Sequence, residues 1–141
     1  MSDNSLKKLQ EIISVLNSSK TAAKEQMNAR VIDSDALMAM IEIEGREEFP
    51  IILDMDANQI TVVTNLWRSR EIQAGAEAEM MSAMLAMNMH MPLSAFSRTG
   101  DQYQLFGAMA LNSPVENIVT EVATLSDNTL EVVEALREFL Q

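Results

Sequence analysis

The chain has 141 residues, of which 48% are hydrophobic and 22% charged, and its formal net charge is −11. This length favours a single domain over residues 1–141, and the apolar content excludes a disordered chain, which could not bury enough apolar surface to offset its ordering entropy. The apolar runs are far shorter than the roughly 18 residues that a membrane span needs. The absence of cysteine excludes disulfides and thiolate sites.

The negative charge is concentrated in the second half of the chain. After Arg70, the only lysine or arginine residues are Arg98 and Arg137. Because nucleic acids and anionic membranes are bound through lysine and arginine, both are poor partners for this chain. The acidity either keeps the protein soluble through self-repulsion or attracts a basic protein partner. The N-terminal residues lack the pattern of a secretory signal, so we expect a cytoplasmic protein.

The first half of the sequence predicts one helix followed by three or four strands. Apolar residues recur at helical spacing over residues 4–19, which predicts an amphipathic helix. Residues 20–28 show no clear period. Apolar and polar residues then alternate over residues 29–66, as half-buried strands require, and the polar segments around Gly45 and Asp56 predict turns between them.

The second half predicts a helix, two short strands and a last helix. Residues 70–89 return to helical spacing, and Pro92 prevents this helix from continuing much past His90. Residues 95–98 and 103–111 flank a glycine-containing turn and predict a pair of strands.

The last helix has a start signal in which Ser113 would cap the helix, Pro114 would occupy its first position and Glu116 would complete a capping box. Its apolar stripe runs almost to the end of the chain. The helix is either unbroken, with a length of about 40 Å at ~1.5 Å per residue, or divided near Asp127 by a second cap at Asn128. The element order α-βββ(β)-α-ββ-α predicts an α+β fold, with helices packed on one face of an antiparallel sheet.

Catalytic motifs are weak in this sequence. Asp54 and Asp56 follow an apolar strand and superficially resemble the aspartate pair of haloacid dehalogenase-type phosphatases. The next strand follows too soon for that fold, so a hairpin turn is the ordinary interpretation. A small metal-binding protein or hydrolase that uses these aspartates with His90 is the alternative function. Since neither a phosphate-binding loop nor a nucleophile elbow is present, we predict no enzyme activity and no cofactor.

Methionine is unusually frequent, with 12 residues. Met87, Met89 and Met91 surround the only histidine, which would suit Cu(I), but methionine side chains also form adaptable cores and binding surfaces. Trp67 is predicted to pack in the core or at a sheet edge, with a partner hot spot as the alternative. The predicted partner-binding residues are Trp67, Met80, Met84, Met87, Met91, Leu136 and Leu140.

From Met80 onward, the chain resembles the YjfI-like family of acidic bacterial proteins. The segments that carry this resemblance are Pro92–Phe96, Tyr103–Ala108, Asn117–Val119 and Leu125–Asn128. The resemblance implies that the protein has no established enzymatic activity. It also implies a phage-shock-protein-A-like partner, in an envelope-stress or membrane-remodelling context.

The element order, size and acidity are also similar to those of class I type III secretion chaperones and YbjN-like domains. Those proteins are non-enzymatic homodimers that hold a partner segment along apolar patches. This resemblance concerns the fold, so it bears on function only indirectly. Together with the weak catalytic motifs, it predicts a cytoplasmic, homodimeric protein-binding module that acts as a chaperone or adaptor.

Overall fold

The computed structural model describes the backbone of residues 3–141 and the side chains of residues 4–141. The helices and strands are α1 (Asp3–Asn17), β1 (Met27–Asp33), β2 (Met38–Ile43), β3 (Ile51–Met55), β4 (Ile60–Arg68), α2 (Glu77–Asn88), β5 (Ala95–Thr99), β6 (Gln102–Met109) and α3 (Val115–Ala135). Single 3-10 turns lie at Ser69–Glu71 and Arg137–Phe139. The predicted α+β class and element order are confirmed, with four strands before α2. None of the helices in the described part of the chain is long and apolar enough to cross a membrane.

The six strands form one antiparallel sheet in the order β1-β2-β3-β4-β6-β5. Along β3, buried residues alternate with half-buried ones: Leu53 is fully buried, whereas its neighbours Ile52 and Asp54 point to the other face. This alternation arises because successive side chains of a strand point to opposite faces. The sheet therefore has an inner face, which is covered by helices, and an outer face.

The main core lies between the inner face of the sheet and helices α1 and α3. Fully buried helix residues in this core are Leu9, Ile12, Leu16, Ile118, Val122 and Leu125. Full burial of an aliphatic side chain of this size stabilises the fold by roughly 2 kcal/mol. A second core cluster attaches α2 to the sheet and consists of Trp67, Ile72, Met80, Met84, Tyr103 and Leu136.

The predicted helix over residues 70–89 begins only at Glu77. Gly75 has a φ angle of +80°, in the left-handed region, which an α-helix cannot contain and which glycine adopts without strain. The backbone of Ile72 instead forms an isolated bridge with Leu140, and its side chain is still buried. The apolar spacing before Gly75 therefore reflects burial in a non-helical segment.

The predicted start of the last helix is wrong by one residue. Pro114 is the N-cap, with an extended backbone, and no side chain caps the helix. The helix runs through Asp127 without a break, so Asn128 is not a second cap. Its side-chain amide instead donates hydrogen bonds to the Pro92 carbonyl oxygen at 2.8 Å and to Ser94 Oγ at 3.0 Å. The helix ends at Ala135, before the end of its apolar stripe.

Candidate functional site

Helix α2 carries apolar residues on its outward side as well as on its inward side. Met80 and Met84 face inward and are 0% and 4% exposed, whereas Met81, Leu85 and Met89 are 38%, 71% and 86% exposed. The exposed residues follow one another at intervals of four, so they form one line along the helix surface, which we call the α2 stripe. A helix that is apolar all round is normally buried, and a large exposed apolar patch marks an interaction site.

Two hollows flank α2. The larger has a volume of about 340 Å³ and lies between the end of α2 and α3. We call it the methionine groove, and it is lined by Ala86, Met87, His90, Met91, Pro92, Glu131 and Val132. The smaller, the edge hollow, has a volume of about 150 Å³. It lies between α2 and the edge strand β5 and is lined by Met81, Met84, Leu85, Phe96, Ser97, Arg98 and Tyr103.

A polar network holds the start of α2 against β5 and β6. Tyr103 Oη donates a 2.5 Å hydrogen bond to Glu77 Oε2, and Ser69 Oγ donates another at 2.9 Å. Arg98 Nη1 lies 3.7 Å from the same oxygen, and its guanidinium lies 5.7 Å from the centre of the Tyr103 ring. The hydrogen bond from Tyr103 lowers the pKa of Glu77, and Ser69 and the Arg98 charge add to this effect. The network therefore positions the walls of the edge hollow.

Replacing Tyr103 by phenylalanine should raise the pKa of Glu77 toward that of an ordinary glutamate. A carboxylate with a lowered pKa stabilises the fold above its ordinary pKa, and this stabilisation is lost as the pH falls through the folded-state value. Tyr103→Phe should therefore be less stable than the wild type at pH 7, and this difference should shrink as the pH falls below about 4.5, the ordinary carboxyl value. A carboxyl NMR titration of Glu77 and thermal unfolding at several pH values measure both effects. An unchanged Glu77 titration would contradict the prediction.

The structure separates the predicted partner-binding residues into two groups. Those buried inside the second core cluster are Trp67, Met80, Met84 and Leu136. These side chains are almost fully enclosed, although Met84 also lines the edge hollow, and a contact role for them stays a prediction. Leu140 is half-buried against the same cluster, whereas Met87 and Met91 line the methionine groove. A binding role for these last residues stays a prediction.

The α2 stripe cannot be recognised from the sequence pattern alone. Its residues belong to the same apolar segment as the predicted ones, but they point outward. Because nearly every position of the segment is apolar, periodicity alone does not select the outward side. The adjacent pair Met80 and Met81, one buried and one exposed, illustrates this ambiguity.

The carboxylates of the alternative metal or hydrolase site lie away from His90. Asp54 points to the outer face of the sheet, whereas His90 lies at the end of α2, on the helix side. Asp56 Oδ1 accepts hydrogen bonds from the backbone N–H groups of Asn58 at 2.7 Å and Gln59 at 2.9 Å, and these bonds lower its pKa. Asp56 therefore closes the hairpin turn between β3 and β4.

A cation site would need several ligands in one place. Among the described residues, no group of three or more His, Asp or Glu side chains is placed to hold a metal ion. Met87, His90 and Met91 do share the methionine groove, and Cu(I) binding by this soft ligand set stays a prediction.

The comparisons with known proteins concern the family and the fold. A family model described as "Uncharacterized protein conserved in bacteria (DUF2170)" matches residues 6–140. No curated protein matches the sequence significantly.

Three solved structures contain a chain that is similar to this one. The crystal structure of the ExsC–ExsE complex contains a chain that is 14% identical, with a TM-score of 0.59 and 96% of each chain covered. The HopA1–SchA chaperone–effector complex contains a chain that is 13% identical, with a TM-score of 0.60 and coverage of 99% of this chain and 98% of that one. The crystal structure of the Yersinia pestis type III secretion chaperone SycH in complex with a stable fragment of YscM2 contains a chain that is 11% identical, with a TM-score of 0.49 and coverage of 87% of this chain and 98% of that one. At these identities, the first two likenesses show the fold.

Proposed function

Because the chain belongs to the DUF2170 family of conserved bacterial proteins and has the fold of type III secretion chaperones, we propose that it is a non-enzymatic, chaperone-like module that binds a protein partner. The proposal includes a cytoplasmic location and a homodimer. The observation that carries it is the α2 stripe, because Leu85 and Met89 are 71% and 86% exposed on a helix face of a kind that is normally covered.

We assign the α2 stripe to a second copy of the chain. The stripe lies beside the edge hollow, and Met81 and Leu85 contribute to both. A twofold axis near Leu85 would bring the stripe of each copy into the hollow of the other, which gives the self-complementary interface that a closed dimer needs. The net charge of −11 opposes this contact through like-charge repulsion, so the dimer should tighten as the salt concentration rises.

We assign the methionine groove to a segment of the protein partner. Met87 and Met91 are half-buried there, and their unbranched side chains can adapt to different apolar groups. Glu131 lies at the exposed edge of this groove, and its charge favours a partner segment that carries lysine or arginine beside its apolar anchor. Salt should therefore weaken partner binding while it tightens the dimer, so the two contacts can be told apart in solution.

A phage-shock-protein-A-like protein is the candidate partner, in an envelope-stress or membrane-remodelling context. Support for this partner comes from the resemblance of the C-terminal segments to the YjfI-like family. Binding to a purified phage-shock-protein-A-like protein can be measured with two defined components.

Two variants of α2 should separate dimerisation from partner binding. Leu85→Glu should convert the dimer into a monomer, because it places a carboxylate in the middle of the α2 stripe, opposite the same residue of the second copy. Met87→Glu should leave the dimer intact and weaken binding of the phage-shock-protein-A-like protein. Sedimentation equilibrium measures the first effect, and isothermal titration calorimetry measures the second.

The matched control is Leu130→Glu. Leu130 is a leucine of α3 that is 39% exposed and lines neither hollow, so this variant should dimerise and bind like the wild type. A wild-type chain that stays monomeric at every salt concentration would refute the dimer. If Met87→Glu binds the partner as tightly as the wild type does, the methionine groove is not the partner site.

A further inference from the structure

The outer face of the sheet carries a continuous apolar row. In the part of the chain that the structure describes, all three helices pack on the inner face. On the outer face, directly paired residues extend the row across five strands, and we call this set the sheet row: Met40, Ile52, Val63, Phe106 and Ala95. All five side chains are half-buried, and none of them belongs to the described members of either core cluster.

The sheet row departs from the usual pattern of an antiparallel sheet. A sheet with one solvated face normally presents polar side chains there. With a spacing of about 4.8 Å between neighbouring strands, the row from Met40 to Ala95 is about 19 Å long. Beside it lies a depression of about 370 Å³, which is lined by Met40, Glu48, Pro50, Ile52, Val63 and Asn65. An apolar surface of this extent indicates a site that another molecule covers.

Carboxylates flank the sheet row on both sides. Glu42 lies on the same face of β2, Asp54 lies on the same face of β3, and Glu48 lines the depression. Arg30 continues the row on β1, but it is paired with Glu42 at 2.8 Å. Among the described residues, neither Asp54 nor Glu48 forms an ion pair. Burial and the neighbouring charge of Asp56 raise the pKa of Asp54. A cation beside Asp54 would lower this pKa again, because it stabilises the carboxylate form.

We propose that the sheet row is a docking surface for a basic amphipathic helix of a protein partner. Apolar side chains of that helix would cover the row, while its lysine or arginine residues would meet the flanking carboxylates. A helix packed on a sheet is a standard layer arrangement, and about 13 helical residues span ~19 Å. A second copy of this chain, a nucleic acid or an anionic membrane would all bring like charges together.

The test uses a synthetic helical peptide of about 14 leucine and lysine residues, with the leucines on one face, as a probe. It is titrated into isotopically labelled wild-type protein, and the amide resonances are followed by NMR. We expect saturable changes that are largest at Ile52, Val63 and Phe106. A peptide with glutamate in place of each lysine should not bind. Changes centred on α2, or equal binding of the acidic peptide, would overturn the proposal.

A pair of variants adds a second measurement. Val63→Lys should weaken peptide binding by about tenfold or more, because it places a positive charge, like those of the peptide's lysine residues, in the sheet row. Leu130→Lys adds the same charge on α3 and should bind the peptide like the wild type. Equal affinity of Val63→Lys and the wild type would refute the proposal. Because the sheet row is separate from α2, a monomeric wild type would refute the dimer but leave this result unaffected.

Discussion

Replacing Trp67 by alanine is expected to destabilise the protein by about 4 kcal/mol, as large-to-small substitutions of buried aromatic residues do. The indole is 4% exposed and belongs to the second core cluster, where it helps to attach α2 to the sheet. Trp67→Phe should cost less than about 1.5 kcal/mol. The reason is that Trp67 Nε1 is buried without a hydrogen-bond partner, and phenylalanine removes this unsatisfied donor.

Urea unfolding followed by circular dichroism measures both variants, since the fluorescence of the only tryptophan is lost in each. The same pair distinguishes a core role from a role as a partner hot spot. If Trp67 acts only from inside, Trp67→Phe should form the dimer and bind the partner like the wild type. A Trp67→Phe variant that is stable but does not bind would instead restore the hot-spot interpretation.

The alternation of residues 29–66 predicts the meander because burial of one sheet face imposes a period of two on the sequence. The same alternation does not reveal the sheet row. Val63 and Phe106 are distant in sequence. They become neighbours only because β6, which follows α2 and β5 in the chain, pairs with β4. A half-buried apolar residue on one strand is common, so only the cross-strand register shows that such residues are aligned.

Helix α2 shows a second limit of the sequence pattern. Periodicity identifies a helical segment when its polar and apolar faces differ, and α2 has apolar residues on both faces. The methionine-rich segment therefore does not show by its sequence which side chains reach the surface: Met80 and Met84 are enclosed, whereas Leu85 and Met89 are exposed. The packing of Trp67 and Tyr103 against the inward side decides between the two faces, and this packing is a tertiary property.

The sequence places Arg46 in a polar turn and does not predict that its side chain is buried, yet Arg46 is only 9% exposed. Its Nη1 atom donates hydrogen bonds to Asp127 Oδ1 at 2.7 Å and to Ser126 Oγ at 2.9 Å, and its Nη2 atom lies 3.3 Å from Glu25 Oε1. A hydrogen bond from Thr21 lowers the pKa of Glu25, and the charge of Arg46 adds to this effect. The guanidinium therefore connects the turn after β2 with α3 and with the loop before β1.

Replacing Arg46 by methionine should destabilise the protein by about 2–3 kcal/mol, less than the roughly 3–5 kcal/mol that breaking a fully buried ion pair costs. The loss is limited because water can reach the carboxylates left behind: the side chains of Asp127 and Glu25 are 45% and 28% exposed. Arg46→Lys should lie between the wild type and Arg46→Met, since one ammonium group cannot reproduce the planar fork that contacts both acids.

A double-mutant cycle with Asp127→Asn shows how much of this stability belongs to the ion pair. The coupling free energy between Arg46 and Asp127 should be about 1–2 kcal/mol, with the rest of the loss arising from the contacts to Ser126 and Glu25. Denaturant unfolding of the wild type, both single variants and the double variant gives this value. A coupling near zero would contradict the ion pair with Asp127 and would leave Ser126, Glu25 and the aliphatic stem of Arg46 as the sources of the stability. If only the packing of that stem matters, Arg46→Met should be as stable as the wild type.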